Sequence, residues 1–208
     1  VYSAPMAEFV LGGILQLYKE SKFFAENQAA HRWEKHRGLR ELGGKIACII
    51  GTGSVGSAIA RRLRAFDVQT VGINRSGHPA AEFDQTQPTC RLDDLLPLAD
   101  LVICAMPLTV ETAGLFDSVR LAKIKPGAVF VNVARGKVAD QQSLAEALQS
   151  GQLFGAVLDV FEEEPLPRSS PLWEMEQVIL TPHNSFVGEH NGERLFRLIC
   201  KNLESFAQ

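Results

Sequence analysis

Three side chains have types suited to moving a proton beside a carbonyl group: Arg135, Glu164 and His183. Each follows a short run of apolar residues. Ala128 to Val133 ends at Ala134-Arg135-Gly136, and Phe154 to Leu158 runs into Asp159-Val160-Phe161-Glu162-Glu163-Glu164-Pro165. Val178 to Leu180 gives way to Thr181-Pro182-His183-Asn184-Ser185. Imidazole titrates near neutrality, so it can exchange the hydroxyl proton when hydride passes between a nicotinamide and an alcohol or ketone. A neighbouring carboxylate raises the imidazole pKa and fixes its tautomer. An arginine can hold a substrate carboxylate and polarise the adjacent carbonyl through paired donors. Taken singly, each residue has a plainer use: Arg135 could pair with Asp140, Glu164 could be one of three solvated acids, and His183 could simply hydrogen-bond a loop.

What must position them is a layered α/β framework. Lys45 to Ile50 reads as a buried parallel strand running straight into Gly51-Thr52-Gly53-Ser54-Val55-Gly56. In the following segment Val55, Ile59, Leu63 and Phe66 recur at helical spacing. In a strand, turn and helix of this kind the first glycine permits the turn and the second lets backbone approach a pyrophosphate. The third lets helix and strand pack closely. The helix amino terminus adds unpaired N–H groups and the positive end of its dipole. Gly51, Gly53, Ser54, Val55 and Gly56 are therefore candidate dinucleotide-binding positions. Val68 to Ile73 is the next strand, and it ends at Asn74-Arg75-Ser76-Gly77. An acid that would bind an adenosine ribose is absent there. Asn74 cannot repel a 2′-phosphate and Arg75 and Ser76 can donate to one, which favours NADP over NAD. The plainer reading is a surface turn of Asn74 and Gly77 with a solvated Arg75.

Leu101 to Ala105 is a further strand, and Met106-Pro107-Leu108-Thr109 beyond it should border the cofactor, since ligands of open parallel sheets sit past the carboxyl ends of strands. Residues 77–91 read as polar and turn-rich, and Leu92 to Ala99 as a short helix. Asp140 reads as the cap of a helix that Gly151 ends, and Glu193 to Phe206 as a closing helix. Residues 1–37 read as one long helix with a broad apolar face, either core or partner-facing. The expected fold is α/β, a doubly wound parallel sheet of Rossmann type.

Composition narrows the function classes. The 21 basic and 24 acidic side chains, a formal net charge of −3, give no argument for nucleic acid or an anionic membrane surface. No apolar run is long enough to span a bilayer, and no signal peptide is legible. Cys48, Cys90, Cys104 and Cys200 lack paired spacing and read as buried free thiols of a reducing, cytoplasmic setting, with no metal site. Small molecules are the expected partners.

Together these segments resemble the D-isomer-specific 2-hydroxyacid dehydrogenases, the family of glyoxylate/hydroxypyruvate reductases and D-3-phosphoglycerate dehydrogenases. The matching stretches are Ala4 to Phe9, Gly51 to Gly56, Met106 to Thr109, Val131 to Gly136, Leu158 to Phe161 with Glu164-Pro165, and Thr181 to His183, all in family order. The resemblance implies that Arg135 binds the 2-keto or 2-hydroxy acid, that His183 is the general acid/base and that Glu164 is its carboxylate partner. It also implies that Asp159 holds the nicotinamide carboxamide and that Pro107, Val133, Ala134 and Ser185 line the cofactor site. A non-catalytic dinucleotide sensor or corepressor-like module on the same fold is the rival reading.

Two departures stand out. Asp67 lies where the family favours glycine, at a helix end that asparagine or aspartate can also close. The family's second α/β domain, which closes over the substrate, is largely absent from the chain. Residues 1–37 are then an inter-domain or homodimer-forming helix, 38–187 the dinucleotide-binding domain, and 188–208 a helix returning toward the missing domain. Some apolar surface of the two flanking helices should be exposed or buried in a dimer.

Overall fold

Successive residues of the central strands point alternately to two buried faces, the pattern of a parallel sheet covered on both sides. In a computed structural model that describes residues 1–206, the strands are β1 (Ile46–Ile50), β2 (Gln69–Asn74), β3 (Gln85–Pro88), β4 (Leu101–Cys104), β5 (Ala128–Asn132), β6 (Leu153–Leu158) and β7 (Val178–Leu180). Among the described residues they form one parallel sheet in the order β3-β2-β1-β4-β5-β6-β7. The helices are α1 (Ser3–Tyr18), α2 (Ser21–Ala29), α3 (Ser54–Arg64), α4 (Leu92–Leu95), α5 (Ser118–Lys123), α6 (Gln141–Gln149) and α7 (Asn191–Phe206). Ala47, Ile49, Ile103, Val131 and Val157 face Val10 and Ile14 of α1 and Ile59 and Leu63 of α3. Cys48, Ile50, Cys104, Phe130 and Leu158 face Leu121 of α5 and Leu144 and Leu148 of α6.

Register brings the strand ends level. Ile50 pairs with Ile73 and Cys104, Cys104 with Asn132, Asn132 with Leu158, and Leu158 with Leu180. Every loop that follows these residues therefore opens on one edge of the sheet. The strand order reverses between β1 and β4, which sets the Gly51 and Met106 loops on either side of a crevice, the place where such sheets take ligands.

Several expectations need correction. Residues 1–37 are two helices and an irregular segment instead of one helix. The apolar period of α1 stops at Tyr18, the N–H groups of Lys19 and Glu20 close back on Leu15 and Leu17, and Glu20 turns left-handed at φ 50°. Beyond α2 the chain returns under the sheet, where the Arg40 guanidinium lies 3.5 Å from the Phe154 ring centre and donates to the Gly127 carbonyl at 2.7 Å. The polar stretch 77–91 contains an edge strand, β3, paired from Val71↔Gln85 to Asn74↔Pro88. Cys48 and Cys104 are buried, and burial pushes the Cys48 thiol up to about 12, but Cys90 is exposed and Cys200 partly so. Asp67 is left-handed at φ 57°, and Asp140 Oδ1 accepts from the Ser143 N–H at 2.7 Å as a helix cap. The apolar side chains Leu195, Phe196, Ile199 and Leu203 of α7 are exposed, and residues 207 and 208 of the closing-helix range lie outside the described residues.

The glycine loop separates a packing role from a cradling one. A Cβ on Gly56 would strike the Gly51 carbonyl oxygen, whereas a Cβ on Gly53 meets nothing within 4 Å. Gly53 caps α3 in extended conformation, and the N–H groups of the helix's first turn point past it without intrahelical acceptors. Gly56→Ala is therefore expected to cost roughly 1–3 kcal/mol and lower Tm by about 2–12 °C in thermal unfolding. Gly53→Ala should leave Tm within about 1 °C while weakening dinucleotide binding in a titration, because the added methyl enters the space a pyrophosphate needs. Equal thermal effects of the two variants would contradict this division.

Candidate active site

Asp159 follows β6 directly and is 1% exposed. Its Oδ1 accepts from Thr181 Oγ1 at 2.6 Å and from the Asn184 N–H at 2.7 Å, and its Oδ2 accepts from the Ser185 N–H at 2.9 Å. Its carbonyl takes the His183 N–H at 2.8 Å. One residue thus holds the whole loop that leaves β7. Within that loop His183 is left-handed, at φ 53°. A non-glycine residue stays in this region only where its surroundings fix it, and the Asp159 bonds do so.

The loop directs His183 Nδ1 to Glu164 Oε2 at 2.9 Å. Since an ionised carboxylate only accepts, Nδ1 carries the proton and Nε2 is left to exchange protons with a ligand. Glu164 is fixed by a second bond, from the Phe161 N–H to Oε1 at 3.0 Å. Partial burial pushes its carboxyl up, but the His183 and Phe161 hydrogen bonds and the charge of Arg135 outweigh that and hold it below the ordinary carboxylate value. Its neighbour Glu162 is committed elsewhere, accepting the Gln141 N–H at the start of α6 at 2.7 Å. Of the three consecutive acids, Glu164 alone meets the histidine. Phe186 stands edge-on to the imidazole, with ring centres 6.2 Å apart.

Arg135, three residues beyond β5, is exposed, and its Nη1 donates to the Ala134 carbonyl at 2.6 Å. It does not pair with Asp140, whose carboxylate caps α6. Gly136 beside it has no room for a Cβ because the Phe161 backbone occupies that space. Arg135 lines a cleft of about 380 Å³ with Val55, Pro107, Val133 and Ala134. Glu164 and His183 border a second cleft of about 490 Å³, walled by Phe161, Leu166 and Trp173. A third, of about 510 Å³, runs from Gly51 and Gly53 to Asn74 and Arg75. Asn74 makes the turn that its type suggested: Oδ1 accepts from Gly77 N–H at 2.6 Å, and Nδ2 donates to Thr52 Oγ1 at 3.1 Å and to the His78 carbonyl at 2.9 Å. Arg75 and Ser76 are exposed beside it, while Ser185 is buried beneath the His183 loop.

Residues that sequence reasoning passed over also shape this edge. Thr181 is one of the donors to Asp159, and Thr52 fixes Asn74. Glu111 and Thr112 line the third cleft beside Met106 and Thr109, which the sequence had set at the cofactor's border. The partners of Thr52 and Thr181 are set by the fold and leave no signal in the sequence.

The Asp159 clamp and the Glu164–His183 pair each have a direct test. Asp159→Ala strands three donors, the Ser185 N–H buried and the other two partly so, and is expected to cost about 2–5 kcal/mol, read as a large fall in Tm; an unchanged Tm would contradict the clamp. Because the folded pKa of Glu164 is lowered, the stabilisation it gives is complete above the unfolded value of about 4.3 and is lost as pH falls through the folded value. Titration of the His183 ring signals by NMR should therefore show the carboxyl step below about 4.3. A step above that value would show that the pair does not hold the carboxylate.

Comparison with known proteins follows the same residues. A family model described as D-isomer specific 2-hydroxyacid dehydrogenase, NAD binding domain, matches residues 11–185. The glyoxylate reductase of Pyrococcus furiosus is 40% identical over 166 residues, covering 80% of this chain and 49% of the relative. The chain therefore spans about half the length of the curated relatives it matches. A crystal structure of a D-isomer specific 2-hydroxyacid dehydrogenase family protein from Aeromonas salmonicida superposes with a TM-score of 0.91 at 37% identity, over 100% of this chain and 66% of that one. The NADPH-dependent glyoxylate/hydroxypyruvate reductase of Sinorhizobium meliloti, in complex with NADP and sulfate, gives 0.86 at 29% identity, over 99% and 66%. With the family model covering most of the sequence and the sheet order, glycine loop and strand-end residues in place, the chain belongs to the D-isomer-specific 2-hydroxyacid dehydrogenase family, as its NAD(P)-binding domain.

Proposed function

We propose that this chain is the dinucleotide-binding half of an enzyme that reversibly reduces a small 2-keto acid, of the glyoxylate or hydroxypyruvate type, to its D-2-hydroxy acid. The observation that carries the reading is the fixed Glu164–His183 pair on the same sheet edge as Arg135 and the glycine loop. A dinucleotide sensor needs the loop but has no use for a carboxylate-held histidine.

The residues present fit a nicotinamide dinucleotide. The open space at Gly53 and the unpaired N–H groups of Ser54, Val55 and Gly56 suit the pyrophosphate, and the groove between Val55, Pro107 and the Val133–Ala134 backbone suits the nicotinamide end. When bound in reduced form, the cofactor supplies hydride to the keto carbon. Arg135 orients the substrate carboxylate and draws charge onto the carbonyl oxygen. His183 gives its Nε2 proton to that oxygen, while Glu164 keeps Nδ1 protonated and the ring aligned. Asp159 keeps the loop rigid, and its Oδ2, with one protein donor, retains a lone pair for the carboxamide assigned to it. NADP is favoured over NAD because Arg75 and Ser76 stand exposed where an acid would discriminate against it.

In this reading 1–37 and 188–208 flank the dinucleotide-binding domain of 38–187. A homodimer is proposed on two exposed apolar features, Trp33, which is 97% exposed, and the face of α7. A reducing, cytoplasmic setting fits the unpaired thiols of Cys48 and Cys104.

Assays of the full-length protein with glyoxylate and hydroxypyruvate are expected to show NADPH-dependent turnover. His183→Ala should lower kcat by roughly 10²–10⁴-fold with little change in dinucleotide affinity. The 208-residue chain alone should bind dinucleotide and turn over little, since Arg135 is exposed and would hold the substrate on an open, wet edge. Undiminished turnover by His183→Ala would remove the role assigned to it.

A further inference from the structure

Two opposite charges face each other across the mouth of the cleft that runs from Gly51 to Asn74. Arg75, on the loop after β2, places Nη2 3.9 Å from Oε1 of Glu111, on the loop after β4. The carboxylate is not free to swing away. Thr109 Oγ1 donates to Glu111 Oε2 at 2.6 Å, the Thr109 N–H donates to Thr112 Oγ1 at 2.7 Å, and Thr112 Oγ1 donates to the Pro107 carbonyl at 2.8 Å. The Thr109 hydrogen bond, the backbone and then Arg75 hold the Glu111 carboxyl below its ordinary value, so it is ionised at neutral pH. Asn74 cannot take the place of Arg75 as a donor. Both hydrogens of its amide are committed, to Thr52 Oγ1 and to the His78 carbonyl. Recognition of a phosphate at this end of the cleft therefore depends on Arg75 and Ser76, and the answer to its charge on Arg75 and on what competes for it.

We infer that Glu111 is a specificity-determining residue of the dinucleotide site: its fixed carboxylate competes with a ligand 2′-phosphate for Arg75 and repels that phosphate, so the choice between NADPH and NADH is set by the Arg75–Glu111 balance. The inference rests on the proposed reading that this cleft takes the adenosine half of the cofactor. A phosphate monoester carries close to two negative charges at neutral pH and a free 2′-hydroxyl carries none, so Glu111 acts on one cofactor and not the other. Both side chains are largely solvated, which limits the effect to a few-fold and makes it sensitive to salt.

The test is a titration of NADPH and NADH, at low ionic strength, into the chain and its Glu111→Gln, Arg75→Ala and double variants. Glutamine keeps an acceptor for Thr109 and removes only the charge. Glu111→Gln is expected to tighten NADPH about three- to fivefold and to change NADH by less than about 1.5-fold. In the Arg75→Ala background the gain should fall below about twofold, because only the direct repulsion remains. Selective loss of NADPH affinity in Arg75→Ala, with Glu111→Gln unchanged, overturns the inference and leaves the 2′-phosphate reading standing. Equal loss of both cofactors in Arg75→Ala overturns that reading and the inference with it.

Discussion

A buried carboxylate must find donors, and at Asp159 the donors come from a different strand. The four hydrogen bonds that Asp159 receives through its side chain and carbonyl join the end of β6 to the loop leaving β7. Without them the left-handed backbone of His183 keeps only its N–H bond to the Thr181 carbonyl against its strain, and the imidazole loses its fixed direction toward Glu164. The remaining components depend on the same parallel register, which sets Arg135, Asp159 and His183 one to three residues beyond aligned strand ends. The chemistry is therefore an edge property of the sheet, built from residues distant in sequence.

Positive charge recurs along this edge, at Arg135, at the α3 amino terminus and at Arg75. At the Arg135 end a positive charge lies near a carboxylate–imidazole pair, an arrangement suited to a substrate that brings its own negative charge. At the Arg75 end a positive charge is partly answered by Glu111. Between them lie the unpaired N–H groups of the α3 amino terminus, which suit a pyrophosphate. Such spacing suits a long ligand with negative charge in its middle and a reactive group at one end.

Much of this was legible in the sequence where local physics decides. The buried strand through Cys48, Ile49 and Ile50, the glycine loop and the Asp140 cap all follow from short-range pattern, and each lies where expected. The resemblance also identified Glu164 among three adjacent acids, which residue types alone left open. What failed was set by tertiary pairing. Gln85-Thr86-Gln87-Pro88 has no apolar signal, and it becomes an edge strand only because β2 offers it a partner. The break at Glu20 was hidden because α1 and α2 share a helical composition, and the apolar face stops at Tyr18 without a glycine or proline to mark it. The Asp159 clamp was invisible because its donors lie 22 to 26 residues away and three of the four are backbone groups.

The central claim is that one dinucleotide lies along the whole carboxyl edge, from Arg75 past the glycine loop to the Asp159-held His183. Mapping backbone amide shifts of the 208-residue chain by NMR as NADPH is added tests it most directly. The account predicts a continuous track of perturbations through Gly51 to Gly56, Arg75 and Ser76, Leu108 and Thr109, and His183 to Ser185. Perturbations confined to the α2 segment or α7, or stopping at the glycine loop without reaching His183, would contradict it.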